Sequence, residues 1–470
     1  MKELNFIIGS AGTGKTTWIE NEIRNLNDSH KQWIYVTYSA AMANEAKRRI
    51  DSKTNNIGTF HSLISKSNGL HNFFAYDKKD QGVLFAKQMG LSYNNKPMGQ
   101  EDEQDDFHKF LSAYTYMVNT ESKYMPEDTQ GRLDMEFIRD RYEAFKRQRG
   151  LMDYNDILIK GLDYMPPVDV VFIDESQDMT PLLWHIVKNW EANKFYIVGD
   201  PYQSIYTFLG SSIKLFVQHY QEANNVNYLK TSYRFGENIK ELSKSVVRNA
   251  YSIPIEYDAL GNTTIKKSTS LTDFLTLEGS KAILTRTNKI AKTLCRNIEP
   301  NLPINYEHSN NSDFDMRVIK LTNILHKYPS VAPEELAYLV DYIPTAMLKR
   351  GIKTKAVHKE LTLDDFANGI FRIETDKRMI IENLDLPERK KLIVLKYYSR
   401  GINMDNVVRI DTIHSAKGME FDNVMLLTDK PMMIEQNADE SCVLYTGITR
   451  ARRVLYYGYM GIEDSSYQVV

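Results

Sequence analysis

The chain has 470 residues, 42% of them hydrophobic, enough to bury more than one core, so two to four folded units are expected. Its 59 Lys and Arg are matched by 61 Asp and Glu; the net charge of -2 excludes a uniformly basic coat and leaves only local basic patches. Two cysteines, Cys295 and Cys442, exclude a disulfide framework, and no apolar run approaches the ~18 residues of a membrane span, so a soluble, unprocessed cytoplasmic protein is expected.

The first element is an apolar run at 4–8, followed by GSAGTGKT at 9–16 and then by Ile19, Ile23 and Leu26 at helical spacing. This reads as strand, loop, helix, and the loop fits GxxxxGK[ST]. Glycines 9, 12 and 14 let the backbone curl until its N–H groups face one anion, which the positive helix end also favours. Lys15 would reach the β- and γ-phosphates and Thr16 would hold Mg²⁺, so a nucleoside triphosphate is the expected ligand. Contacts to it are expected from Gly9, Ser10, Ala11, Gly12, Thr13, Gly14, Lys15, Thr16 and Thr17.

A second apolar run lies at 33–37, and a mainly helical segment follows from about 69 to 150. Within it, EDEQDD at 101–106 reads as a solvated loop or helix face rather than a site. VDVVFIDESQD at 168–178 is a buried parallel strand that delivers Asp174 and Glu175 to its carboxyl end. Asp174 can hold the water shell of Mg²⁺ and Glu175 can accept a proton from an attacking water, which suggests hydrolysis rather than transfer. Further apolar runs at 195–198, 282–285, 407–410, 423–427 and 454–457 complete two parallel sheets, an α/β fold. A second helical insertion runs from about 306 to 399, where Val318, Leu321 and Leu325 share a face and Pro333, Glu334 and Glu335 mark a helix start.

Other motifs come in a fixed order: VTYSAAMANEAKRRI at 36–50, GTFHS at 58–62, VGDPYQSIYTFLGS at 198–211, TSYRF at 231–235, AILTRTN at 282–288, DTIHSAKGMEF at 411–421 and LYTGITRARR at 444–453. With the loop and DESQD they are spread from residue 9 to residue 453 and bracket the rest of the chain, which resembles the UvrD/Rep group of superfamily 1 (1A) DNA helicases in a compact version. The resemblance implies two RecA-like P-loop NTPase domains, each with a mainly helical insertion. Residues 1–68 plus 151–229 would form the first domain with 69–150 inserted; 230–305 plus 400–470 would form the second, with 306–399 as a reduced insertion. It also implies ATP hydrolysis with Mg²⁺ and movement 3′ to 5′ on single-stranded DNA, with ss/ds junctions as substrates. A replication or repair protein would be a partner, and the protein would be a monomer or weak oligomer. RNA as the track stays open, because stacking does not distinguish sugars.

By the same resemblance, Gln203 senses the γ-phosphate, Arg234 contacts it, and Arg450 reaches it from the second RecA-like domain as an arginine finger. Tyr233 would stack on the adenine and Glu420 contact the ribose. On the DNA track, Tyr38, Phe60, His61, Tyr206 and Phe208 lie in the matching motifs, with Thr37, Thr59, Thr412 and His414 near phosphates. Lys47, Arg48 and Arg49 either add phosphate contacts or form a solvated helix face.

Four features depart from the family pattern. Phe208 stands where many relatives have tryptophan, the second insertion is short, little follows the arginine-finger motif, and eight residues precede Gly9, where relatives carry a glutamine that reads the adenine. Base selectivity is therefore open. A motor that moves on single strands or displaces proteins, but unwinds poorly without a partner, is the alternative reading.

Overall fold

The computed structural model describes residues 2–50, 56–70, 79–93, 105–128, 130–248, 250, 253–254, 256–266, 273–274, 277–298, 305–307, 316–357, 369–372, 375–386, 388–399, 407–428 and 437–459. The chain forms two compact units. One comprises Met1–Ile265, Lys417–Glu420 and Met432–Leu455, the other Lys266–Ala416, Phe421–Pro431 and Tyr456–Val470.

The first unit is built on a six-stranded sheet of β1 (Glu3–Gly9), β2 (Trp33–Val36), β3 (Ile57–Gly58), β4 (Val168–Ile173), β5 (Ala192–Gly199) and β6 (Asn225–Leu229), in the order β3-β2-β4-β5-β1-β6. Every pairing is parallel. Successive side chains of a strand point to opposite faces, and here both faces are covered, so the strands read as unbroken apolar runs. Phe6, Ile8, Ile34, Val36, Val171 and Ile173 enter one core with helices 60–67, 154–163, 181–189 and 213–221. Ile7, Tyr35, Val170 and Phe172 enter the other, against Ile19 and Ile23 of helix 15–28. The register pairs Val36 with Ile173, Ile173 with Ile197, and Ile8 with Gly199. The residues that follow these strand ends therefore leave the sheet at one edge.

Helices 79–89, 106–119 and 135–149 of the first unit share an aromatic core that includes Phe85, Phe107, Phe110, Tyr114, Tyr142 and Phe145. Within the acidic run, Asp105 differs from expectation, whereas Asp106 lies half-exposed in the first turn of a helix. Asp105 is 7% exposed and accepts from the His108 amide at 2.9 Å, capping helix 106–119. A carboxylate at that position satisfies a helix N–H that burial would otherwise leave unpaired. Residues 101–104 of the run lie outside the described residues. A two-stranded pair, β7 (Thr231–Ser232) and β8 (Asp258–Ala259), lies beside the sheet's last strand in sequence.

The second sheet contains β9 (Thr264–Lys266), β10 (Lys281–Thr285), β11 (Asn305–Glu307), β12 (Val407–Thr412), β13 (Phe421–Thr428) and β14 (Ala451–Tyr459), in the order β11-β12-β10-β13-β14-β9. β10, β11, β12 and β13 run parallel. The α/β expectation holds, with a parallel first sheet and these four strands as the parallel part of the second. Helices 316–327, 333–341, 352–357, 377–382 and 388–399 close a separate core in which Leu321, Leu325, Leu336 and Val394 are buried. Pro333 is the first residue of its helix, and Glu335 reaches back to accept from the Ala332 amide at 3.2 Å. The side chain of Val318 lies outside the described residues. Among the described residues, no helix is long and apolar enough to cross a membrane.

Candidate functional site

Gly9 ends β1, and the loop from Ser10 to Gly14 turns directly into helix 15–28. Gly12 and Gly14 adopt φ of 76° and 81°, values that side chains with a Cβ rarely take. Among the described residues no side chain caps this helix, so the N–H groups of its first turn suit an anion at the positive helix end. Lys15 Nζ donates to the carbonyl oxygens of Gly9 at 2.8 Å and Ser10 at 3.3 Å, which places its ammonium inside the loop. The TSYR segment is tied to the same loop. Ser232 Oγ donates to the Ala11 carbonyl at 2.8 Å, and the Tyr233 amide donates to that of Gly12 at 3.1 Å.

Asp174 leaves the carboxyl end of β4 and is 3% exposed. Its Oδ2 accepts from Tyr35 Oη at 2.8 Å and lies 3.4 Å from Thr16 Oγ1. Burial, and then the neighbouring Glu175 charge, push its carboxyl up to about 6. A small divalent cation would relieve that desolvation. Thr16 and Asp174 offer it a hydroxyl and a carboxylate, leaving the other positions to water and phosphate oxygens, as Mg²⁺ prefers. Among the described residues, no group of three or more His, Cys, Asp or Glu could hold a metal by itself.

Glu175 sits at φ 54°, an uncommon left-handed backbone for a residue with a Cβ. Its carboxylate accepts from Gln177 Nε2 at 2.5 Å and lies 3.9 Å from Lys417 Nζ. Burial raises its carboxyl, but Lys417 and Lys15 outweigh that and hold it below the usual range. Lys417 itself pairs with Asp178 and donates to the Gln203 carbonyl at 2.6 Å. Sequence reasoning missed Lys417, Asp178 and Tyr35. The first two stand within quoted motifs, and Tyr35 is one hydroxyl inside an apolar strand.

After β5, Asp200 accepts from Gln203 Nε2 at 2.7 Å and Tyr445 Oη at 3.0 Å. Arg450 is 1% exposed; its guanidinium donates to Gln203 Oε1 at 3.0 Å, the Thr446 carbonyl at 2.8 Å and the Met419 carbonyl at 3.1 Å. Burial and the nearby Arg234 push it down to about 9, still protonated at neutral pH. Arg450 and Glu420 therefore lie in the same compact unit as the loop. Arg234 pairs with Glu420 at 2.8 Å, and Glu420 also holds Arg452 at 3.1 Å. The Tyr233 ring is 70% exposed.

The aromatic residues fall into two groups. Tyr38 and Tyr206 stack on each other at 5.3 Å and 11°, with Phe208 edge-on to Tyr206 at 6.0 Å and 60% exposed. Phe60 does not join them. It is buried in the hydrophobic core, because helix 60–67 needs an apolar anchor on the sheet, and so it offers no face to a base. Thr37 is 2% exposed and its hydroxyl is likewise out of reach of a phosphate. Thr59 Oγ1 caps helix 60–67 by accepting from the Ser62 amide. His61 is half-buried, edge-on to Tyr154, and burial pushes its imidazole down to about 4, so it is neutral. Thr412 and His414 belong to the second unit, where Thr412 is buried and caps the Ser415 amide.

Residues 1–224 match the family model of the UvrD/REP helicase N-terminal domain, and residues 343–461 match that of the UvrD-like helicase C-terminal domain. The chain is 24% identical to F-box DNA helicase 1 of Gallus gallus, across 96% of this chain and 46% of that protein. It is 23% identical to the ATP-dependent DNA helicase Rep of Buchnera aphidicola subsp. Schizaphis graminum, across 96% of this chain and 90% of that one. A probable DNA helicase II homolog of Mycoplasma genitalium is 23% identical across 97% of this chain and 82% of its own. The chain thus spans less than half the length of the first of these relatives. With a phosphate loop, paired acids at the adjoining strand end and both halves of one family pattern in order, the chain belongs to the UvrD/Rep-type helicase family.

Proposed function

We propose that this chain is an ATP-dependent DNA helicase that moves 3′ to 5′ on single-stranded DNA and unwinds duplex ahead of it. The observation that carries this reading is the continuity of the first unit. Glu175 lies 3.9 Å from Lys417, which donates to the Gln203 carbonyl and sits 5.0 Å from the ring of Tyr206, stacked on Tyr38, while Gln203 also holds Arg450. Polarity rests on the resemblance of HSAKGMEF, QSIY and GITRA to the 3′ to 5′ branch of the family.

In this mechanism the loop N–H groups and Lys15 bind the phosphates, and Thr16 and Asp174 hold the cation's site. Bound there, Mg²⁺ would neutralise charge on the β- and γ-oxygens. Glu175 accepts the proton of the attacking water, while Arg234 and Arg450 stabilise charge developing on the γ-phosphate. Tyr38, Tyr206 and Phe208 grip successive bases by stacking, which needs no sequence readout and can be broken at each step. Tyr233, whose amide holds the Gly12 carbonyl, would stack on the adenine, and Glu420, which pairs with Arg234, would contact the ribose. The two RecA-like domains with their insertions, bounded as the resemblance implies, would advance by alternating grips.

The test is strand separation on duplexes with a 3′ or a 5′ single-stranded tail, with ATP and Mg²⁺, alongside turnover on the bare strand. Unwinding from the 3′ tail alone supports the proposal. Unwinding from the 5′ tail refutes the polarity, and strand-stimulated turnover without unwinding makes the chain a motor that needs a partner.

A further inference from the structure

We propose that Lys417 is a positioning residue that couples occupation of the Tyr206 ring by a base to hydrolysis at Glu175. This rests on the reading above, in which Glu175 serves ATP and Tyr206 serves the strand.

One ammonium group meets four partners that belong to different tasks. Lys417, its side chain 6% exposed, pairs with the buried Asp178 carboxylate and donates to the Gln203 carbonyl at 2.6 Å. It lies 3.9 Å from Glu175 Oε2 and 5.0 Å from the centroid of the Tyr206 ring. Gln203 in turn holds Arg450 through its side chain at 3.0 Å. The ammonium is therefore within reach of the carboxylate that would take the proton, the peptide that carries the γ-phosphate sensor, and the ring that would carry a base.

The position of such a group is set by the sum of its attractions, of which the aromatic one changes when the ring moves. Tyr206 now stacks on Tyr38 at 5.3 Å. Admitting a base between two rings requires about 7 Å, two van der Waals layers of ~3.5 Å each. A shift of the Tyr206 ring alters the field at Lys417 or carries the ammonium with it, and the Glu175 and Gln203 contacts shift in response. Gly418, at φ 81°, follows immediately and gives the segment a backbone position free of a Cβ.

The experiment measures ATP turnover with and without saturating oligo-dT for Lys417→Met, Tyr206→Leu and the double variant, with nucleotide affinity measured separately. Each single change should lower the ratio of stimulated to basal turnover about tenfold while nucleotide affinity stays within about threefold. The double variant should lose no more than either single one, because both break one connection. Lys417→Arg should restore part of the ratio. If Lys417→Met unfolds because Asp178 is left charged, the same measurement is made on Lys417→Met with Asp178→Asn. Equal loss of basal and stimulated turnover, or multiplied losses in the double variant, overturns the inference. Wild-type turnover indifferent to the strand overturns the functional reading itself, and this inference with it.

Discussion

Replacing Lys146 by Met tests whether the helical insertion is fastened to the first sheet by a buried ionic cluster. Lys146 is 2% exposed and lies 3.1 Å from Asp153, 3.0 Å from Asp156 and 3.0 Å from Glu143, with Tyr114 Oη at 3.1 Å and the Tyr142 ring 4.9 Å from its Nζ. Asp153 and Asp156 also cap helix 154–163, whose Ile157 and Leu158 enter the sheet core. Methionine keeps the length but leaves fully buried Asp153 facing Asp156 without a cation. Stranding a buried partner in this way costs roughly 3–5 kcal/mol, a large share of the ~5–15 kcal/mol that holds a domain. At ~2–4 °C per kcal/mol for a unit of this size, the midpoint should fall by roughly 6–20 °C.

The pH dependence has a definite sign. Burial, and then Asp153, raise the Asp156 carboxyl, whereas Lys146 lowers it. Without Lys146 it rises further, so the folded variant binds a proton that the unfolded chain releases. The penalty is therefore present at high pH and fades as pH falls toward the carboxylate range. All four tryptophans, Trp18, Trp33, Trp184 and Trp190, lie in the first unit, so their fluorescence during thermal unfolding follows that unit. A gap between variant and wild type below about 1 kcal/mol at pH 8, or one that does not narrow at pH 5, would refute the reasoning.

Two further changes probe the nucleotide loop. A Cβ on Gly12 would meet Arg234 Cβ at 2.5 Å and the Arg234 backbone nitrogen at 3.2 Å, whereas one on Gly14 would meet nothing within 4 Å. Gly12→Ala should therefore weaken ATP binding by at least tenfold, about 1.4 kcal/mol, and Gly14→Ala should cost only the ~1 kcal/mol of its left-handed backbone; equilibrium titration with a fluorescent ATP analogue checks the order. Glu175→Gln should keep nucleotide binding and lose turnover by about a hundredfold or more, and a single-turnover assay showing normal hydrolysis would remove Glu175 as the proton acceptor.

The strand ends that matter were legible because a parallel sheet covered on both faces leaves unbroken apolar runs. The run at 168–173 is β4 at the same bounds, and the runs at 4–8, 195–198 and 423–427 are the middles of β1, β5 and β13. β6 was hidden because its NVNYL is an edge strand whose residues are exposed or half-buried. β3 and β11, two and three residues long, carry too little pattern to be read. The loop glycines were legible for the same reason they are needed, their backbone. The partners of Asp174 and Glu175 were not, because Tyr35 looks like strand filling, and Lys417 is placed by packing between segments more than two hundred residues apart. Phe60 shows the reverse error: an aromatic residue inside a matching motif can serve the core.

The face-to-face contact of Tyr38 and Tyr206 has a thermodynamic consequence for any base that would lie between them. The protein's own ring is a standing competitor for that slot. Self-association worth ~0.5–1.5 kcal/mol would weaken capture of a base by roughly 2- to 13-fold, alike for all four bases. The same term works in reverse at departure, since a base that leaves is replaced by a ring instead of by water. A slot with a resident occupant would hold a strand less tightly and let it go more readily, which suits the temporary grip that the proposed stepping requires.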